Sequence, residues 1–409
     1  MTTDMRDSLK REQAPDHSGG DGVRLGSIAV GMACLTAFAF LPVLAGGYIN
    51  GDDDWNFRDN LEFRGFDWEQ IRWAWTTKLV GVYQPVAWMI LEAEYETFGL
   101  APRGYHATSL LLHSANAVVL FFLTRTLLIR CRPEIAEGPG GRAILDGSSA
   151  LASLLFAIHP LRAEVVAWAS CQPYLPCVLF AMLAVLAYLK SQEADRLAGG
   201  SSRWLAASVA LNVAAILCKA PAVVLPAILV VLDFYPLRRL SNRRAWLEKL
   251  CFFIPALGAM AMAVDARKSL SLTATEARPL MFRLAQSSYS ACFYPIKTVV
   301  PLDLVAFYPF PGRADWTAPR FLVSLTLVVG LSLFAWFGRR RWPGWSATWA
   351  AYLAALAPCS GLVPMGRAML ADRYSYLSML VWVPLLAFSF TRLARRNRLR
   401  WTDGRPRLA

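Results

Sequence analysis

Apolar runs long enough to cross a membrane recur along the whole chain, and no other feature constrains the fold as strongly. They occupy residues 25–46, 105–128, 148–158, 175–189, 204–217, 222–234, 250–264, 321–337, 345–356 and 374–390. A helix of about 20 apolar residues crosses the hydrocarbon core and satisfies its own backbone there. The chain is 56% hydrophobic and 17% charged. A soluble domain carries about 25% charged residues, so one water-facing globule would not cover this much apolar surface. The expected class is an all-α polytopic membrane protein, a bundle of about 10–11 transmembrane helices. Residues 280–300 are only moderately apolar, with Arg283, Pro295 and Lys297 inside, and read as either interfacial or spanning.

The formal charge of +13 is not spread evenly. Arginines cluster directly after apolar runs: Arg130, Arg132 and Arg142; Arg238, Arg239, Arg243 and Arg244; Arg339 to Arg341; and the tail from Arg392 onward. Such clusters mark cytoplasmic loops. Placing all of them inside puts both termini in the cytoplasm. The expected division is a disordered tail over 1–24, a transmembrane domain over 25–392 and a basic tail over 393–409. Two large external segments are expected at 47–104 and 265–319. No aromatic-rich RNA motif or basic recognition helix is present, so no nucleic-acid partner is expected. Eight cysteines are scattered without zinc spacing. Cys171 and Cys177 fall on the external side, which leaves a disulfide between them open.

The polar exceptions carry the functional signal. Asp52, Asp53 and Asp54 follow the first apolar run. A single Asp at the bilayer centre costs roughly 2.5–3.5 kcal/mol, so three in a row mark a boundary. They read either as a solvated acidic stop or as a carboxylate catalyst in a low-dielectric site. The stretch 66–75 has an aromatic face suited to an interfacial helix or to a packed loop helix. Residues 82–98 are apolar yet hold Glu92, Glu94 and Glu96, so this helix is expected to pack on the outer side of the bundle. His106 and His113 are seven apart and share a helix face. His113 reads as an interhelical hydrogen-bonding residue, and His106, near the outer end, as the site residue.

Further along, His159, Pro160, Arg162 and Glu164 interrupt an apolar run. Proline breaks the ladder there. The ionisable groups belong either to a water-lined site or to an internal Arg162–Glu164 ion pair. Lys219 sits alone before Pro221 and either snorkels to headgroups or meets an anionic ligand. Asp372 and Arg373 close the loop at 358–373, which also holds Arg367. With the arginine clusters inside, all of these groups fall on one face of the membrane. Scattered structural charges would not segregate in this way.

Taken together, these segments resemble a known family. Gly51–Asp54 is similar to the first-loop signature of GT-C-type membrane glycosyltransferases. The resemblance narrows through Tyr83-Gln84-Pro85, Gly104-Tyr105-His106, the helix bearing His113 and Asn116, and His159 to Trp168. Cys218-Lys219 and Ala371-Asp372-Arg373-Tyr374 complete it. The set looks like the transmembrane/TPR-containing O-mannosyltransferases and their bacterial relatives, over residues 25–390. The resemblance implies a GT-C-like fold in the bacterial inner membrane. It implies a polyprenyl-phosphate-linked mannose or similar hexose as donor and a hydroxyl on a protein or glycan as acceptor. Transfer would be inverting and external, without cofactor or metal. An acidic first-loop residue, here Asp52 or Asp53, would be the general base. Asp54, His106, His159, Glu164 and Asp372 would line the site, while Lys219, Arg373 and Arg162 would suit the phosphate. Two departures stand out. Ser170-Cys171-Gln172-Pro173-Tyr174 replaces the family's charged pair, and no TPR repeats follow the last span before Ala409. Two other readings share the same residues: a transporter or flippase of lipid-linked sugars, and a non-catalytic scaffold. No internal symmetry of the kind transporters carry is visible.

Overall fold

The computed structural model describes residues 18–196, 201–268, 278–311, 315–363 and 368–402. Helices dominate throughout. The first, α1 (Ser18–Ala39), ends in a 3₁₀ turn over Leu41–Ala45, because Pro42 cannot continue the ladder. The segment that follows supplies α2 (Trp68–Thr76) and α3 (Pro85–Phe98). Next come α4 (Pro102–Cys131), α5 (Gly141–Ala157), the single turn α6 (Ala163–Ala167), α7 (Tyr174–Arg196) and α8 (Ser201–Cys218). The second half holds α9 (Leu225–Phe234), α10 (Arg243–Lys268), α11 (Leu280–Val299), α12 (Pro319–Gly338) and α13 (Pro343–Leu356). A single turn, α14 (Ser375–Ser378), precedes the last helix, α15 (Val383–Thr402). The described strands, Tyr308–Pro309 and Ala368–Leu370, pair antiparallel and tie the segment after α11 to the stretch before Asp372.

Among the described residues seven helices are long and apolar enough to span, and the α5–α6 pair, bent by 59°, makes an eighth. The larger number expected from sequence counts shorter helices such as Ala220–Phe234 as well. Helix α11 is continuous but is not among the spanning helices. It buries Phe282, Ala285, Gln286 and Tyr294 and leaves Leu280, Met281 and Ile296 outside. The expected tail boundaries shift: α1 begins at Ser18, and α15 continues to Thr402. Residues 1–17, 403–409 and Arg367 lie outside the described residues.

The main core lies where α4, α7, α9 and α15 meet, around Leu120, Leu175, Tyr188, Leu229 and Val383. Val30, Phe38, Val323 and Leu327 are exposed on the outer helices α1 and α12. Apolar surface of this extent would aggregate in water and is at home in lipid. At the head of α4, Gly104 is required by packing. A β-carbon there would stand 2.2 Å from the Phe98 ring. Some polar side chains tie helices together inside the bundle: Asn116 Nδ2 donates to the Leu175 carbonyl and to the Tyr376 hydroxyl, both at 3.0 Å. His113 bonds the same hydroxyl at 2.8 Å and the Ala157 carbonyl at 2.9 Å, the interhelical role expected of it.

Candidate active site

The three aspartates begin a tight helical turn after Gly51, whose φ of +108° suits a residue without a side chain. Successive residues in such a turn point about 100° apart, so three adjacent carboxylates cannot share one fate. Asp53 turns inward and is fully buried. It accepts from the Ile49 amide at 2.8 Å, from the Ser170 amide at 3.0 Å and from the Ser170 hydroxyl. Asp54 turns back, accepting from the Gly51 amide at 2.9 Å and from Arg58 at 2.7 Å. The Gly51 amide, then Arg58, hold its carboxyl below the usual range. Asp52 is half-buried, and among the described residues no hydrogen bond or ion pair holds it.

Lys219 lies between α8 and the 3₁₀ turn Ala220–Val224. Its ammonium donates to Gln84 Oε1 at 2.8 Å and stands 5.4 Å from the Tyr174 ring centre. Burial depresses its pKa, Arg373 depresses it further, and Cys171, Cys177 and Asp52 oppose them. Asp52, Glu164, Lys219 and Arg373 are all electrostatic neighbours of Cys171. Four charged groups from four distant stretches therefore come near enough to one buried thiol to act on it electrostatically. The thiol itself is free, as is Cys177, so the disulfide left open by the sequence does not form.

Glu164 is held by Arg373, not by Arg162. The Arg373 amide donates to Glu164 Oε2 at 2.5 Å and its guanidinium pairs with Oε1. The guanidinium also lies 5.4 Å from the Trp168 ring centre. Arg162 is fully buried, donates to the Ser375 hydroxyl at 2.7 Å and lies 4.5 Å from the Phe156 ring centre. The Arg162–Glu164 pair offered by the sequence does not form. Asp372, buried, accepts from the Tyr308 hydroxyl at 3.0 Å.

Two further histidines lie among the described residues. His159 Nδ1 accepts from the Leu161 amide at 3.2 Å, so Nε2 carries the proton and donates to the Thr298 carbonyl at 3.0 Å. Both nitrogens are thereby committed to backbone where α5 breaks. His106 is buried beneath the Gly46–Gly47 turn.

Sequence reasoning missed four residues that build the site: Gln84, Glu94, Ser170 and Gln172. Gln84 lies in a motif the resemblance had marked, directly before Pro85, and is nearly buried. Ser170 and Gln172 lie after Trp168 and latch that segment to Asp53 and Glu94 in the stretch between α1 and α4. Gln172 donates to Glu94 at 2.7 Å. Burial raises Glu94 to about 8 and Glu92 to about 7.

Curated proteins similar to this chain are O-mannosyltransferases. Protein O-mannosyl-transferase TMTC4 of Homo sapiens is 32% identical over 142 residues, 34% of this chain and 19% of that protein. Its Mus musculus counterpart is 29% identical over 39% of this chain and 22% of the relative. Protein O-mannosyl-transferase Tmtc2 of Drosophila melanogaster is 28% identical over 54% of this chain and 21% of the relative. The matches thus span about a fifth of the length of these relatives. No family model matches the chain, and no solved structure does.

Proposed function

We propose that this chain, a TMTC-like relative of the O-mannosyltransferases and a membrane glycosyltransferase, moves a sugar from a polyprenyl phosphate to a hydroxyl at the external face of a bacterial inner membrane. The sugar is mannose or a similar hexose, and the acceptor a protein or a glycan. The observation that carries this reading is Asp52, the one carboxylate of its triplet without a bonded partner, in the electrostatic neighbourhood of Lys219.

In this mechanism Asp52 takes the proton from the acceptor hydroxyl as its oxygen attacks the anomeric carbon. A base of this kind contributes about 10²–10⁴-fold. The carbon–oxygen bond to the phosphate breaks on the opposite face, so configuration inverts. The departing phosphate carries the new negative charge, and Lys219 stabilises it. Arg373 assists, with Glu164 cancelling much of its charge. Asp53 does not serve as base in this reading: it is buried, and its two oxygens are taken up by three donors. It positions the turn that presents Asp52.

The test uses purified protein with radiolabelled polyprenyl-phosphate mannose and an acceptor pool. Asp52→Asn should abolish release of polyprenyl phosphate while leaving thermal unfolding unchanged. Full turnover by Asp52→Asn would remove the carboxylate base. Movement of intact donor between leaflets without release would favour a transporter.

A further inference from the structure

A long cavity lies apart from the aspartates. It has a volume of about 550 Å³ and runs between α4, α7, α9, α13 and α15. On α4 its wall extends from Leu120 to Arg132, about 18 Å at 1.5 Å per residue. Along that length the lining is almost wholly apolar, with Leu123, Met182, Ile228 and Leu385 among its walls. At one end the lining changes to Arg132, Tyr235, Arg341, Trp342 and Arg392.

These rim arginines differ in one decisive respect. Arg132 is paired with Glu134 at 3.2 Å. Arg341 and Arg392 have no acidic partner among the described residues and lie 5.5 Å and 5.7 Å from the ring centres of Trp342 and Phe388. Two uncompensated guanidinium groups therefore stand at the mouth of an apolar slot between membrane-spanning helices. Guanidinium pairs with phosphate in a planar, two-pronged way. Trp and Tyr at the same level suit the headgroup layer. A slot about one acyl chain long with a cationic mouth is complementary to a lipid that is apolar at one end and anionic at the other.

We propose that this cavity binds an anionic phospholipid, with an acyl chain along α4 and the headgroup phosphate at Arg341 and Arg392. The rim adjoins the arginine clusters that follow the apolar runs, so the lipid comes from the leaflet opposite the Asp52 site. A zwitterionic lipid presents the same phosphate but brings its own ammonium beside it, so the net positive charge of the rim stays uncompensated, and selectivity for net negative charge follows. This binding does not depend on the glycosyltransferase reading, because none of the rim residues touches the aspartate site.

The full-length protein is purified, and its retained lipids are extracted and quantified by mass spectrometry. It is then reconstituted into nanodiscs of phosphatidylglycerol or of phosphatidylcholine, and thermal unfolding is followed in each. Phosphatidylglycerol should be retained about tenfold over phosphatidylcholine and should raise the unfolding temperature, a difference of roughly 1.4 kcal/mol. Arg341→Ala combined with Arg392→Ala should bring the two lipids to parity. The exposed positions of both arginines make that variant foldable, and the corresponding double Lys substitution should keep part of the preference. Ile228→Trp, which fills the slot, should lose retention of either lipid. Equal retention by the unaltered protein, or a preference unchanged in the double Ala variant, overturns the proposal. Recovery of a polyprenyl phosphate that only Ile228→Trp releases also overturns it and gives the slot to that lipid.

Discussion

Asp53 and Ser170 lie 117 residues apart in sequence, yet the Ser170 amide donates to the Asp53 carboxylate at 3.0 Å and the Ser170 hydroxyl donates to the same oxygen. The segment after Trp168 is therefore the clamp that holds the aspartate turn in place. Gln172 adds a second tie two residues later, through Glu94. A serine and a glutamine here do locally what a charged pair would do differently. They leave the segment neutral and commit Asp53 to structure.

Ser170→Ala removes one of three donors to Asp53 and keeps the amide. A hydrogen bond to a charged group contributes about 1.5–3 kcal/mol, and loss of this one should lower stability within that range. Turnover should fall only modestly. Asp53→Ala strips the Ile49 and Ser170 donors of their acceptor and should cost more. Thermal unfolding of the two variants in one detergent decides the order, and an equal or reversed cost would contradict the clamp.

Glu164 and Arg373 join the break after α5 to the loop before α14. Removing one partner of a buried pair leaves the other uncompensated, at about 3–5 kcal/mol. Arg373→Gln should therefore destabilise strongly. Glu164→Gln frees the Arg373 cation and should tighten donor binding while lowering stability. A double-mutant cycle on unfolding should yield a coupling of about 1–3 kcal/mol, and additive single effects would refute the pairing.

Far from the aspartates, Lys249 is buried and donates to Asp233 at 2.6 Å, and Tyr188 donates to the same carboxylate at 2.8 Å. Lys249→Met removes the nearer cation from buried Asp233 and leaves Arg239 at 3.9 Å, so it should cost less than the roughly 3–5 kcal/mol of a fully uncompensated buried partner but still lower the unfolding temperature. Turnover per folded molecule should stay unchanged. A selective loss of turnover at wild-type stability would show that this network belongs to the reaction.

Glu94 gives stability a pH dependence. Burial raises its folded pKa from 4.5 to about 8. Between those values the folded state holds a proton that the unfolded chain has released. Stability therefore falls as pH rises from about 4.5 to about 8 and levels off above. Glu94→Gln keeps an oxygen for Gln172 and cannot ionise, so its unfolding temperature should decline less over that window. Parallel pH curves for the two proteins would count against a buried, protonated Glu94.

Much of the architecture could be read from composition and spacing alone. Hydrocarbon thickness dictates helix length, and arginine cannot be left in lipid, so spans and their ends are written in local sequence. Pro160 marks the break after α5 for the same local reason, a missing donor and a steric clash. The resemblance singled out Asp52–Asp54, Lys219, Glu164 and Arg373, and the fold brings members of all four stretches near Cys171. Roles within that set were not legible. Three identical side chains in a row look equivalent until a helical turn points one inward, one backward and one to the side. Glu164 sits two residues from Arg162 but bonds Arg373, 209 residues away, because the bend between α5 and α6 turns it toward the opposite loop. Hydrophobicity and chain stiffness act over a few residues and leave their mark in the sequence. Which carboxylate is clamped and which stays free depends on contacts across the bundle, and those exist only once the helices have packed.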